Sequence, residues 1–215
     1  MSVPSLLDHV VIAGPDLPAL VDWLAERTGV TAAPGGVHPT GTANALVALT
    51  LNGARAPHYI ELIGPDPAIA HEAPPTTFGI HELDGPRIVT YAVHPDDIDA
   101  VVAGARERGY DPGDVWDLSR RRPDGVLLEW RLTRGDTGFE APFLIDWGTT
   151  RQPGLDDLPT LELVAFERVE PDPAPLRAVH DALALPEGAL AEVVAGEPAR
   201  FRLTVRTAEG ETVTL

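Results

Sequence analysis

Two residues carry most of the chemistry this sequence offers. His9 stands in an apolar run from Leu6 to Ala13, and Glu61 in the run Tyr59-Ile60-Glu61-Leu62-Ile63. Both runs are β-branched and apolar, and both read as buried strands. Side chains alternate along a strand, so Leu7, His9 and Val11 share a face, as do Tyr59, Glu61 and Ile63. An imidazole and a carboxylate are donor types that suit Fe, Ni, Co, Mn or Zn, and a glutamate can also take a proton as general base. The plainer alternative is a hydrogen-bonded core histidine beside a structural carboxylate.

Five further residues are candidates for touching a ligand: His38, Asn44, Arg122, Glu129 and Arg131. His38 and Asn44 lie in the Gly-rich stretch Gly36-Val37-His38-Pro39 and Gly41-Thr42-Ala43-Asn44, where the backbone can approach a ligand closely. Arg120, Arg121 and Arg122 form the only basic run in an acidic chain. One of them, Arg122 in our assignment, can grip a carboxylate. Glu129 and Arg131 share one strand face, either as an ion pair or against ligand, while Leu128, Trp130 and Leu132 take the other. Trp116, Trp130 and Trp147 read as core. His58, His71, His81 and His180 show no ligand spacing.

A recurring pattern must position these residues. A strand ending at Gly14-Pro15-Asp16 is followed by a helix with Leu17, Leu20, Val21 and Leu24 inward and a stop at Gly29. A second strand, from Ile88 to Val93, precedes a helix with Ile98, Val101, Val102 and Ala105 inward. A third copy runs from Leu161 to Phe166, with a helix over about 173–185. Strands follow each helix: 45–51 and 58–63 with one hidden near 36–42, then 115–119, 126–133 and 143–146, then 191–194, 201–205 and 212–215. Turns are expected at Asn52-Gly53 and Pro123-Asp124-Gly125. Aligning the first two helices by their apolar positions puts Thr90 where the first unit has His9. The fold class is α+β: tandem β-α-β-β-β modules forming a cupped mixed sheet, with a third, smaller module of similar order. We expect one domain over 1–150 (modules about 6–64 and 87–148) and a C-terminal module over 160–215, joined by Pro-rich linkers.

Composition narrows the partners. The formal net charge is −17, from 33 acidic and 16 basic residues, which argues against nucleic acid and anionic membranes. All the basic residues are Arg, which with the high Ala, Gly and Pro content reads as the bias of a GC-rich genome rather than as a functional signal. The absence of Cys removes disulfides, thiolate metal sites and Cys nucleophiles. With neither a signal-peptide pattern nor a membrane-length apolar run, we expect a soluble, cytoplasmic protein.

These residues and their order resemble the glyoxalase-like domain proteins of the vicinal oxygen chelate superfamily, which includes glyoxalase I, extradiol dioxygenases and bleomycin-resistance proteins. The resemblance rests on Leu7-Asp8-His9-Val10-Val11, the Gly-rich stretch with His38 and Asn44, and Tyr59-Ile60-Glu61-Leu62-Ile63. In the second module it rests on Arg122-Pro123-Asp124-Gly125, Trp130-Arg131-Leu132 and Pro142-Phe143-Leu144-Ile145-Asp146-Trp147. It covers about residues 6–148. It implies metal ligands on the first and fourth strands of each module, which makes His9, Glu61 and Asp146 the metal candidates. The fourth position falls on Thr90, which is no transition-metal ligand, so a full glyoxalase I site is not expected.

Three functions are compatible with this reading. One is a lyase, isomerase or dioxygenase using Zn, Ni, Fe or Mn to bind vicinal oxygens of a small substrate, with Glu61 as catalytic base. The second is a metal-free binding protein whose cavity sequesters a cationic compound, in the manner of bleomycin-resistance proteins. The third is a non-catalytic scaffold that dimerises through its third module. The partner is a small molecule in the first two readings and a second copy of the chain in the third.

Overall fold

The computed structural model describes residues 3–121, 125–135 and 138–215. Each of its three units opens with a strand and a helix. In the first, β1 (Leu7–Ala13) leads into α1 (Leu17–Thr28). Asp16 caps that helix by accepting from the Ala19 amide at 2.9 Å, and Gly29 closes it in the left-handed conformation at φ 71°. Then follow β2 (Ala33–Val37), β3 (Thr42–Leu51) and β4 (Ala54–Pro65). Asn52 and Gly53 join β3 to β4, both with positive φ, as a tight hairpin turn requires.

The second unit repeats the order: β5 (Arg87–Val93), α2 (Ile98–Glu107), β6 (Asp114–Arg121), β7 (Leu127–Arg134) and β8 (Phe143–Asp146). Asp97 caps α2 on the Ala100 amide. Of the expected Pro123-Asp124-Gly125 turn, only Gly125 lies among the described residues. The third unit is β9 (Thr160–Glu170), α3 (Ala174–Leu183), β10 (Glu192–Ala195), β11 (Arg200–Arg206) and β12 (Thr212–Thr214).

Among the described residues the strands form one 12-stranded mixed sheet in the order β12-β11-β9-β3-β4-β1-β5-β8-β7-β6, with β2 on β3 and β10 on β9. The fold is therefore α+β. The hidden strand of the first unit lies earlier than expected, because Pro34, Gly35 and Gly36 make it look like loop. It survives as an edge strand with a register shift between Pro34 and Gly36, a place where sheets tolerate proline. The third unit keeps the order of elements but not the pairing: β10, not its last strand, runs parallel to β9. β9 in turn pairs with the C-terminal half of β3.

The first two units meet at β1 and β5, which are antiparallel, and the register exposes a pseudo-two-fold axis. Val10 pairs with Tyr91, 81 residues later. His9 pairs with Ala92 and Val11 with Thr90, and each of these pairs is the other carried across by the same 81-residue shift. Thr90 is therefore the counterpart of His9. The fourth strands obey the same symmetry. Val11 pairs with Glu61 and Ala92 with Phe143, so Phe143 is the counterpart of Glu61.

Alternation sends Val10, Ile12, Ile60, Leu62, Tyr91 and Leu144 to the face covered by α1, α2 and α3, where the main core lies. The other face curls into a cup. The third unit is tied to this core through Tyr91, whose ring meets Phe166 and Phe201 edge-on at 5.2 and 5.8 Å. Its hydroxyl lies 3.5 Å from Nε2 of His180 on α3. Burial pushes the His180 ring down to about 4, with Asp181 opposing. The unfolded chain therefore binds a proton near pH 6.5 that the folded chain refuses until about pH 4. Stability should be full above pH 6.5 and fall as pH drops to about 4. The loss should be on the order of 2 kcal/mol, once partial exposure of the ring is discounted. Urea unfolding of wild type and His180→Gln at pH 7 and pH 4.5 measures it, and an equal acid loss in both proteins would refute the assignment. None of the described helices is long and apolar enough to cross a membrane.

Candidate functional site

The site begins with an irregularity in β1. The register with β5 shifts between Leu7 and His9, leaving Asp8 as the extra residue of a β-bulge. Leu7 therefore turns to the helix-covered core rather than sharing a face with His9, which corrects the alternation expected from sequence. His58 stabilises the bulge from β4 by hydrogen-bonding the Leu7 carbonyl through Nδ1. Burial pushes the His58 ring below its ordinary value, against the Leu7 hydrogen bond and the Asp8 charge.

The bulge brings Asp8 and His9 side by side. Asp8 is fully buried. One carboxylate oxygen lies 2.7 Å from His9 Nδ1, and the other accepts from Trp147 Nε1 at 2.9 Å. An ionised carboxylate can only accept, so Nδ1 carries the imidazole proton and Nε2 faces the cup. There it stands 3.7 Å from Glu61 Oε2. Tyr59 stacks on the His9 ring at 4.5 Å, and Phe143 meets it edge-on at 5.4 Å. Burial raises the Tyr59 phenol well above its ordinary value, with Asp8 and Glu61 adding to the effect. It is an un-ionised wall of the site.

Glu61 is held in turn. Its Oε1 accepts from Asn44 Nδ2 at 2.6 Å, and Asn44 Oδ1 accepts from Arg120 Nη1 at 3.2 Å. His38 Nε2 lies 3.5 Å from Asn44 Nδ2, and its Nδ1 lies 2.8 Å from Thr42 Oγ1. Burial lowers the His38 ring, with Arg120 helping and Glu61 opposing, so it is a neutral imidazole near pH 7. These groups form the polar wall of a cavity of about 610 Å³. The rest of the lining is largely apolar, with Phe78, Trp130, Leu132, Phe139, Phe143 and Ile145, and includes Thr90, Asp117 and Thr133.

The structure thus brings together His9, Glu61, His38 and Asn44. It does not bring Asp146, Glu129 or Arg131 to them. Asp146 lies three residues past Phe143, on the other face of β8, where it accepts from the Gly148 amide and faces Arg131 at 3.8 Å. Arg131 forks onto Asp99 of α2 at 2.7 and 2.9 Å instead of pairing with Glu129, which is exposed. Arg122 lies outside the described residues, while Arg120 of the same run lines the cavity. The sequence reading passed over Asp8, Tyr59 and the Trp147 indole nitrogen. The adjacent Asp8-His9 pair is a visible signal for the first, but neighbours on a regular strand point to opposite faces.

A transition metal does not fit these residues. His9 and Glu61 are two donors, and the symmetry-related positions offer Thr90 and Phe143 in place of a second pair. Thr90 spends its hydroxyl on the Ala141 carbonyl at 3.4 Å. Among the described residues no group of three or more His, Asp or Glu is placed to hold a metal ion.

No curated protein matches the chain in sequence. Among solved structures, a hypothetical protein from Staphylococcus aureus superposes with a TM-score of 0.63 at 13% identity, over 97% of both chains. A Streptomyces coelicolor methylmalonyl-CoA epimerase variant in complex with 2-nitronate-propionyl-CoA gives 0.44 at 19% identity, over 70% of this chain and 100% of that one. The Mycobacterium tuberculosis methylmalonyl-CoA epimerase gives 0.40 at 21%, over 67% and 88%. The family model described as the glyoxalase-like domain matches residues 7–184, running through both modules of the cup and on into β9 and α3. With most of its length inside that match, the chain belongs to the glyoxalase-like domain family.

Proposed function

We propose that this protein acts in the cytoplasm on a small organic molecule held in the cup, and that it moves a proton on that molecule as an isomerase or lyase does. The observation that carries the reading is the His9–Glu61 pair. Its two reactive atoms lie 3.7 Å apart at the cavity wall, each backed by a buried polar group, Asp8 behind His9 and Asn44 behind Glu61.

The roles follow from the geometry. Glu61 Oε2 is the base. It takes a proton from a carbon next to a carbonyl, the C–H electron pair becomes a C=C bond, and the carbonyl π pair moves onto oxygen. His9 enters the step with a second proton taken up from water at Nε2. It donates that proton to the oxygen and takes it back when the carbonyl re-forms, and the buried Asp8 carboxylate offsets the imidazolium charge. Return of the proton from Glu61 to the same or a neighbouring carbon completes the turnover. This sequence needs no metal, in keeping with a donor set that stops at two.

Hydrogen–deuterium exchange tests it. Enolisable carbonyl compounds incubated with the protein in D₂O should gain deuterium at the carbon beside the carbonyl. Glu61→Gln should slow this about 10²–10⁴-fold while leaving binding within a few-fold. Equal exchange in wild type and Glu61→Gln refutes the assignment. Binding without exchange in either would make the cup a sequestering site.

A further inference from the structure

The cup is chemically one-sided, and the pseudo-two-fold axis shows how. Where the first module places His9 and Glu61, the second places Thr90 and Phe143. Phe143 is the start of an aromatic wall: Phe78 stacks near it at 6.2 Å, and Phe139 meets Phe78 edge-on at 6.1 Å. Three of the five phenylalanines in the chain thus line this one cavity.

Phe78 reaches its place at a conformational cost. It sits in a 3₁₀ segment (Thr77–Glu82) with φ 51° and ψ 26°, a left-handed conformation that is an outlier for a bulky side chain. Strain of this kind persists where the surroundings hold a side chain to a task, and it clusters at ligand clamps. Here its result is a ring in the cavity wall. Phe139, at the cavity edge, is 46% exposed. A large apolar ring left this open at the edge of a cavity has surface to offer a ligand.

We propose that the ligand is an amphipathic carbonyl compound. An enolisable carbonyl head sits at His9 and Glu61, and an aromatic or branched aliphatic body lies against Phe78, Phe139 and Phe143. This rests on the proton-transfer reading for the head and on the aromatic wall for the body. Cavity size agrees: about 610 Å³ is the range of a drug-sized ligand rather than of a three-carbon acid. The polar wall selects the head. Arg120 and His38 both meet Asn44, which holds Glu61, and the Arg120 guanidinium suits a neutral or anionic oxygen and opposes an ammonium group.

Trp130 and Trp147 line the cavity, so intrinsic fluorescence reports binding. Phenylacetone, acetone and phenethylammonium serve as probes: head with body, head alone, and body with a cationic head. Phenylacetone should bind at least tenfold tighter than either of the others. Phe78→Leu and Phe143→Leu, which keep an apolar volume and should fold, should each weaken phenylacetone several-fold, and Phe78→Leu, which is remote from His9, should leave acetone unchanged. Equal affinity for phenylacetone and acetone, tighter binding of phenethylammonium, or indifference to both Phe variants overturns the proposal. Deuterium exchange on bound phenylacetone separates the two readings. Aromatic-dependent binding with no exchange keeps the amphipathic ligand and removes the proton transfer. Exchange that ignores the body keeps the proton transfer and removes the aromatic clamp.

Discussion

Asp8→Ala should lower the unfolding free energy by about 3 kcal/mol or more, because it strands two buried donors at once. Asp8 accepts from the Trp147 indole and faces His9 Nδ1, and both side chains are almost wholly buried. Deleting one partner of a buried polar set leaves the other members with no substitute, and each such donor costs about 1–3 kcal/mol. Removing a carboxylate from the interior relieves its own desolvation, but only an exchange of all the partners for apolar groups would turn that relief into a gain. Asp8→Asn separates structure from chemistry. The amide oxygen can still accept from Trp147, while the amide nitrogen presents a donor to His9 and forces the proton onto Nε2. This variant should lose about half as much stability and yet reverse the imidazole tautomer. Urea denaturation measures the first effect and nitrogen NMR of the His9 ring the second. A loss below about 1 kcal/mol in Asp8→Ala would mean that the network around the bulge is not a stabilising unit.

Gly113→Ala should be nearly as damaging, for a reason of backbone geometry. Gly113 has φ +92°, and a Cβ there would come within 2.1 Å of the Arg134 carbonyl oxygen and 2.5 Å of the Gly135 nitrogen. These are main-chain atoms, so no side chain can swing away to make room. β6 and β7 would have to part where Asp114 pairs with Arg134, and Pro112 and Gly135 beside that point line the cavity. We expect a loss of about 3 kcal/mol or more, the range reached when strain and a clash combine. Gly53→Ala is the control. Its φ is +76° but nothing lies within 4 Å of the added carbon, so only the conformational cost of about 1 kcal/mol applies. Parallel denaturation of the two variants reads the clash as their difference, and equal losses would show that the close approach at Gly113 is relieved without cost.

How much of this was legible depended on whether a feature is local. Asp16 and Gly29 announce the two ends of α1, and the helix lies where they put it. The apolar spacing of α1 and α2 yields the same 81-residue shift that the strand register later displays, so the counterpart of His9 is readable as Thr90. Alternation alone is enough to put Glu61 on the face of Tyr59 and Ile63. The counterpart of Glu61 is not readable in this way. Choosing Phe143 over Asp146 needs the pairing of Ala92 with Phe143, which joins residues about fifty positions apart. Asp146 attracts attention because it is an acid in the right strand, and strand membership says nothing about register. Asp8 escapes for a related reason, since a bulge is a relation between two strands and leaves no mark in one. β2 hides behind Pro34, Gly35 and Gly36, because it needs only a partner on one side and no strand-forming residues of its own.

The symmetry between β1 and β5 has a consequence for how such a protein can change. Two copies of one module enclose a single chamber, yet the reactive groups come from only one of them. In the proposed reaction the reacting atoms lie on β1 and β4, and the second module supports and shapes: Trp147 holds Asp8 and Phe143 packs on His9, while β7 brings Leu132 to the cavity wall. A substitution at such a wall position would alter which molecules fit and leave the support of His9 in place. On that reading duplication separates a half that carries the reaction from a half that sets the clientele, joined through Trp147 and Phe143.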